Sequence, residues 1–369
     1  VATTLVVTND FPPRTGGIEG FVAHVCDALD SDVVVLTREE SDRDATRRFD
    51  VGLAYEVVRI PGPLLPTPAL ATTATDLLRS RGATRVVYGA AAPLGLLAPD
   101  LRRAGGRFHL ALSHGHEVWW AAVPGARTAL RRIVDGVDHL GVISTHTTNA
   151  ISAALPEESR RKLVRLPPPV DLDRFRPAET IAAPVVVAAG RLIPQKGFDA
   201  LLDVWPLVRA AVPDARLLVA GEGPLAGRLG RRAALLRGVT MIGAVPYEQM
   251  RDLLRTARVF ALPVRTRLGG LNPEGLGRVF LEAAACGLPV VVGRSGGAPE
   301  TVVDGVTGSV VDPDDRGALA TAIVGWLSDP VAARTAGLAG RRHVADRFGA
   351  DDVTRIVRRC LGLDTSHRR

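Results

Sequence analysis

Glu274 and Glu282 bracket the run Glu274-Gly-Leu-Gly-Arg-Val-Phe-Leu-Glu282, which follows the strand-like Arg258-Val-Phe-Ala-Leu-Pro263 and a glycine-bearing loop. The run opens a helix that ends near Cys286-Gly287-Leu288-Pro289. Gly275 and Gly277 leave backbone N–H groups bare at the helix start, where orphan donors and the macrodipole favour an anion. Glu274, ahead of the helix, can face a ligand lying over that end. Glu282, about two turns further along, can reach another part of it. One carboxylate for a sugar, amides for a diphosphate and a second carboxylate for a ribose make a nucleotide-sugar site. Two glutamates on an ordinary solvated helix would show the same spacing, since exposed Glu is the norm. Other loops must therefore agree.

Several do. Gly190-Arg191-Leu-Ile-Pro-Gln-Lys196-Gly197 follows another strand-like run. Arg and Lys on one such loop can clamp a pyrophosphate, Arg through its planar fork and Lys as a compact charge. Gly16-Gly17-Ile18-Glu19 follows the first strand and lets the backbone approach a phosphate at a helix start. Ser113-His114-Gly115-His116-Glu117-Val118 also follows a strand. His116 could donate to a substrate hydroxyl or polarise a carbonyl, and with no metal ligand at i+4 a zinc site is not expected. Trp119 and Trp120 could form a flat wall for a ring, or core. Glu300, in Gly296-Gly297-Ala298-Pro299-Glu300, reads as a helix-start acid.

The elements that must position these residues alternate. Strand-like runs at 5–8, 33–36, 56–60, 85–88, 108–113 and 140–144 are separated by helical stretches such as Gly20 to Asp30 and Thr72 to Arg81. Pro167-Pro168-Pro169 interrupts the pattern, and a second set follows at 185–188, 215–220, 239–242, 259–262, 289–292 and 308–311. Two consecutive α/β domains with parallel sheets are expected: residues 1–166, residues 167–350, and a terminal helix over 351–369 that could cross back to the first. Ligands of such sheets bind beyond the carboxyl ends of the strands, where all the loops above lie.

Composition narrows the classes. The chain has 369 residues, is 46% hydrophobic, and has no apolar stretch long enough to span a bilayer. The opening strand is too short for a signal sequence, and three scattered cysteines suit a reducing cytoplasm. Net charge is +7, and Lys162 and Lys196 are the only lysines among 46 basic residues. Arg102, Arg103, Arg107, Arg127, Arg131, Arg132, Arg160 and Arg161 all lie in the first half and suit an anionic lipid surface. No nucleic-acid partner is expected.

Gly190-Arg191 with Lys196-Gly197, Pro273-Glu274-Gly275 through Glu282, and Gly287-Leu-Pro-Val290 with Gly296-Gly297 resemble the retaining family 4 glycosyltransferases. The resemblance covers essentially the whole chain and implies the GT-B fold, α/β with two Rossmann-like domains facing across a cleft. Asn9-Asp-Phe-Pro-Pro-Arg14, His114-Gly-His-Glu-Val118, Arg265-Thr-Arg-Leu-Gly-Gly-Leu271 and Pro246-Tyr-Glu-Gln-Met250 are similar to actinobacterial phosphatidylinositol mannoside mannosyltransferases that use GDP-mannose. Trp119 and Leu268 stand where that pattern has glycines.

By that resemblance Arg191 and Lys196 hold the donor diphosphate, Glu282 the ribose, and Glu274 the transferred sugar. Gly275, Leu276 and Gly277 offer amides; Gly16 and Gly17 close over the diphosphate; Met241, Ile242, Gly243 and Val245 meet the base. His116 approaches the sugar or acceptor, with Arg14, Trp119 and Trp120 on the acceptor side. The implied activity is metal-independent, retaining hexosyl transfer, with GDP-mannose as co-substrate and no cofactor. The acceptor is a phosphatidylinositol mannoside at the inner face of the membrane. A soluble acceptor such as an aminocyclitol, another nucleotide-sugar, and a GT-B epimerase are the alternatives.

Overall fold

The computed structural model describes residues 3–29, 32–178 and 183–363. Val1, Ala2, the Asp30 end of the expected first helix and the last six residues of the 351–369 segment lie outside the described residues. The chain divides into two compact units, Val1–Pro169 with Ala350–Arg369, and Val170–Gly349.

The first unit holds a seven-stranded sheet of β1 (Thr4–Val7), β2 (Val33–Arg38), β3 (Glu56–Ile60), β4 (Arg85–Tyr88), β5 (Phe108–Leu112), β6 (His139–Val142) and β7 (Leu163–Arg165). Its order is β3-β2-β1-β4-β5-β6-β7 and every pairing is parallel. β1, β2 and β4 to β6 are largely buried runs rich in Val and Leu, the pattern of strands covered by helices on both faces. One cluster running from Leu5 through Tyr88 to Ile151 forms the core on one side of the sheet. The helix Pro68–Ser80 contributes Leu70, Ala74, Leu77 and Leu78; Thr67 caps it by accepting from the Leu70 N–H, with Pro68 at its first position. The terminal helix Ala350–Cys360 belongs to this unit, where Arg85 Nε donates to the Leu361 carbonyl.

The second unit holds β8 (Val185–Ala189), β9 (Arg216–Ala220), β10 (Val239–Gly243), β11 (Val259–Leu262), β12 (Val290–Gly293) and β13 (Gly308–Val311), in the order β10-β9-β8-β11-β12-β13. These pairings too are parallel. In each sheet the strand order reverses at one place, between β1 and β4 in the first and between β8 and β11 in the second. Crevices of open α/β sheets form at such reversals.

β7 is the one strand the sequence pattern leaves unread. Leu163-Val164-Arg165 is a three-residue edge strand, half-buried throughout, and too short to show a period.

Candidate functional site

The loops after β8 and β11 flank the reversal of the second sheet, and they bring together residues 78 apart in sequence: Lys196 Nζ lies 2.8 Å from Glu274 Oε2. Both side chains are largely buried, so the pair is weakly screened and each charge depends on the other. Lys196 ends the short turn Pro194–Lys196, and Gly197 turns the chain with φ +74. A Cβ there would stand 2.1 Å from the Pro263 carbonyl oxygen, so only glycine lets the two loops pack this closely.

Glu274 is held from three directions. Its N–H donates to Ser295 Oγ at 3.1 Å, its carbonyl accepts from the Gly297 N–H at 2.9 Å, and Gln195 Nε2 donates to the adjacent Pro273 carbonyl at 2.7 Å. Ser295 Oγ is in turn 2.9 Å from Thr266 Oγ1. Gly296 has φ +55, and a Cβ on it would lie 1.9 Å from the Glu274 carbonyl oxygen. The Gly296-Gly297 turn is thus a backbone clamp on Glu274.

The helix after Glu274 starts later than its spacing predicts. Gly277, at φ +88, sits before Arg278–Ala285, so Glu274 to Gly277 is loop. Glu282 therefore lies about one turn inside the helix, not two. It is buried and forms an i,i+4 ion pair with Arg278, whose Nε is 2.9 Å from Glu282 Oε1. Tyr247 completes the cluster: its hydroxyl accepts from the Arg278 guanidinium. The Arg174 guanidinium lies over the Tyr247 ring at 4.3 Å and that of Arg278 at 4.9 Å. Burial pushes the Glu282 carboxyl above its usual range; Arg278, the Tyr247 hydroxyl and Arg174 pull the other way.

The Arg191 side chain is exposed and makes no hydrogen bond or ion pair among the described residues, while its carbonyl accepts from the Ile193 N–H at 2.8 Å. Met241, Ile242 and Gly243 end β10 and Val245 follows; Ile242 is exposed and the others half-buried. The Gly243 carbonyl accepts from the Gly221 N–H at 2.7 Å, tying this edge to the loop after β9. Leu276 is buried, with Gly275 and Gly277 half-buried beside it. Ala298–Thr301, including Glu300, is a single turn of 3₁₀ helix.

In the first unit Gly16 and Gly17 are exposed at the start of the helix Gly17–Asp27. Arg14 is committed to neighbouring carboxylates: its Nε donates to Glu19 Oε1 at 2.6 Å, and its guanidinium also pairs with Asp10. Trp119 is exposed and edge-on to Trp120, which packs against the sheet's core cluster. His114 Nε2–H donates to the Gly89 carbonyl at 2.5 Å, and burial holds its pKa below the usual value, so the ring is neutral. His116 is exposed, with Nε2 3.3 Å from the Ala92 carbonyl.

Glu117, Tyr247 and Arg278 stand inside motifs read from the sequence without being weighed as site residues. The Arg278–Glu282 spacing was the available signal for one of them. Tyr247 and Glu117 depend on contacts that no local spacing encodes. Among the described residues, no three His, Cys, Asp or Glu side chains gather closely enough to hold a metal ion.

Residues 183–329 match the family described as "Glycosyl transferases group 1". Over 93% of its length the chain is 43% identical to a GDP-mannose-dependent alpha-(1-6)-phosphatidylinositol monomannoside mannosyltransferase of Mycolicibacterium smegmatis, covering 94% of that protein. It is 41% identical, over 92% of its length and 93% of the relative, to a monoacylated-substrate counterpart from Corynebacterium glutamicum. In fold it matches Anabaena HepE in complex with UDP and glucose, with TM-score 0.79 and 17% identity over 98% of this chain and 100% of that one. The chain thus belongs to the family 4 glycosyltransferases of GT-B fold, and is closely related there to the actinobacterial GDP-mannose-dependent phosphatidylinositol mannoside mannosyltransferases.

Proposed function

We propose that this protein transfers mannose from GDP-mannose to a hydroxyl of a phosphatidylinositol mannoside, with retention of configuration and without a metal ion. The observation that carries the reading is the Lys196–Glu274 pair at the reversal of the second sheet, with Glu282 held nearby on the following helix. Its substrates are inferred from those named for relatives that match nearly the full length.

In this reading Lys196 and the unpartnered Arg191 take the donor diphosphate, Glu282 the ribose and Glu274 the mannosyl hydroxyls. The C1–O bond to the β-phosphate breaks while the acceptor oxygen bonds C1 on the same face. The acceptor proton passes to the departing phosphate oxygen. Two cationic side chains then supply the charge stabilisation of the leaving group, the largest contribution such a site can make. His116, Gly16 and Gly17 contribute from the first unit, with Arg14, Trp119 and Trp120 on the acceptor side, and the edge from Met241 to Val245 meets the base.

The acceptor is read as lipid, reached at the inner face of the membrane. Arg107, Arg132 and Arg161 are exposed without an ion-pair partner among the described residues. Arg127 and Arg131 turn onto the Ala121 and Ala154 carbonyls. Among the described residues no helix is long and apolar enough to cross a membrane. Calorimetry with GDP, UDP and ADP tests the donor, and sedimentation with neutral and phosphatidylinositol vesicles at two salt concentrations tests the surface. Preference for GDP and salt-sensitive binding to anionic vesicles are expected. Preference for UDP, or no vesicle binding at low salt, would overturn the corresponding assignment.

A further inference from the structure

Glu117 opens the short helix Glu117–Ala122 and is fully buried. A buried carboxylate must be matched on both oxygens or it destabilises the fold. Its Oε2 is saturated: Ser113 Oγ donates at 2.8 Å, the His114 N–H at 3.1 Å and the Gly115 N–H at 3.2 Å. Gly115, at φ +98, supplies the left-handed turn that wraps these donors around one oxygen. The other oxygen, Oε1, is sealed from solvent and has no hydrogen bond among the described residues. His116 Nε2 lies 3.3 Å away, and the same nitrogen faces the Ala92 carbonyl at 3.3 Å.

The Ala92 carbonyl is an acceptor and so is the ionised Glu117 carboxylate, so both favour a hydrogen on that nitrogen. We propose that Glu117 is a positioning residue that holds His116 in its Nε2–H tautomer, leaving Nδ1 as the lone-pair edge of a half-exposed ring. That edge accepts from a hydroxyl; the opposite tautomer would present a donor there. Resting on the reading that His116 meets the sugar or acceptor, the structure assigns it the part of hydrogen-bond acceptor toward a substrate hydroxyl. The sequence Ser-His-Gly-His-Glu then has a physical division of labour. Ser113 and two backbone amides fix Glu117, and Glu117 fixes His116.

The test is ring ¹⁵N chemical shifts of histidine-labelled protein at about pH 8.5, where imidazoles are neutral, with the His116 signals assigned by their loss in His116→Gln. The wild type is expected to show Nε2–H at His116. In Glu117→Gln an amide replaces one oxygen; with its carbonyl kept on the three donors, its NH₂ faces Nε2 and the signals should move to Nδ1–H or a mixture. Glu117→Asp, which retracts the carboxylate, is the second variant should the first fail to fold, and should shift the same signals. An Nδ1–H ring in the wild type, or unchanged His116 shifts in a folded variant, would overturn the proposal, since the Ala92 carbonyl alone would then set the tautomer. Turnover of Glu117→Gln should fall about tenfold to a hundredfold, as for other residues that orient a histidine, with GDP affinity retained. A shifted tautomer with unchanged turnover would uphold the positioning and remove His116 from the transfer reaction.

Discussion

Lys196 is not a free cation waiting for a phosphate. It is paired with Glu274 at 2.8 Å, both side chains largely out of solvent. A diphosphate must share or take Lys196 from that carboxylate and must also approach the carboxylate's charge. Two substitutions should therefore move GDP affinity in opposite directions. Lys196→Ala removes a charge-assisted contact valued at about 1.5–3 kcal/mol, and leaves Glu274 unpaired beside the anion, so GDP should bind more weakly by on the order of ten- to a hundredfold. Glu274→Gln keeps the shape and a hydrogen bond to Lys196 but removes the competing charge. The ion-pair part that is lost is worth on the order of 1 kcal/mol, so GDP should bind several-fold tighter. Turnover of the same variant should fall, because the carboxylate that meets the transferred sugar has gone. Calorimetric titration of GDP into wild type, both single variants and the double variant reads all terms, and the cycle isolates the coupling. Unchanged or weaker GDP binding in Glu274→Gln, together with unchanged binding in Lys196→Ala, would refute the argument that this pair is the diphosphate's competitor.

Gly296→Ala should destabilise the second unit by about 1–3 kcal/mol and lower turnover by about a hundredfold, because a Cβ at φ +55 would lie 1.9 Å from the Glu274 carbonyl oxygen; an active, fully stable variant would contradict the clamp. His109 is fully buried, hydrogen-bonded to the Tyr88 hydroxyl at 2.9 Å, and burial lowers its pKa from 6.5 to about 4. The folded state thus resists its protonation, so stability is intact above pH 6.5 and is lost as pH falls toward 4, by on the order of 3 kcal/mol at most. Denaturant melts at pH 7 and 4.5 should show a smaller loss in His109→Gln, and an equal loss would sink the assignment. Leu268 has φ +54 and is exposed; relief of about 1–2 kcal/mol of left-handed strain exceeds the roughly 0.5–1 kcal/mol that glycine loses in chain entropy, so Leu268→Gly should raise the melting temperature slightly, and a lowered one would count against strain there.

The alternation of valine-rich runs with helical stretches was enough to read two parallel α/β sheets, because buried parallel strands carry their signal in every residue. The convergence of Lys196 and Glu274 was legible for a related reason. Each follows a strand, and β8 and β11 are neighbours where the order reverses, so their loops meet whatever lies between. Other features depend on contacts that spacing does not carry. The delayed helix start follows from the left-handed Gly277. The commitment of Arg14 to Asp10 and Glu19 arises only once the turn after β1 folds back on the first helix. Tyr247 reaches Arg278 across 31 residues, and Glu117 is a surface-type residue whose burial comes from three donors curled around one oxygen. Leu268 shows the converse: a bulky residue occupies a left-handed turn that its side-chain type does not announce.

The most direct test is a transfer assay with GDP-mannose and a phosphatidylinositol monomannoside in vesicles, run with excess chelator and read by mass spectrometry and anomeric NMR of the product. The expected product is a lipid heavier by one hexose, with an α linkage matching the donor's configuration and turnover indifferent to the chelator. Inverted configuration, turnover restored only by a divalent cation, or efficient transfer to a soluble cyclitol with none to lipid would contradict it.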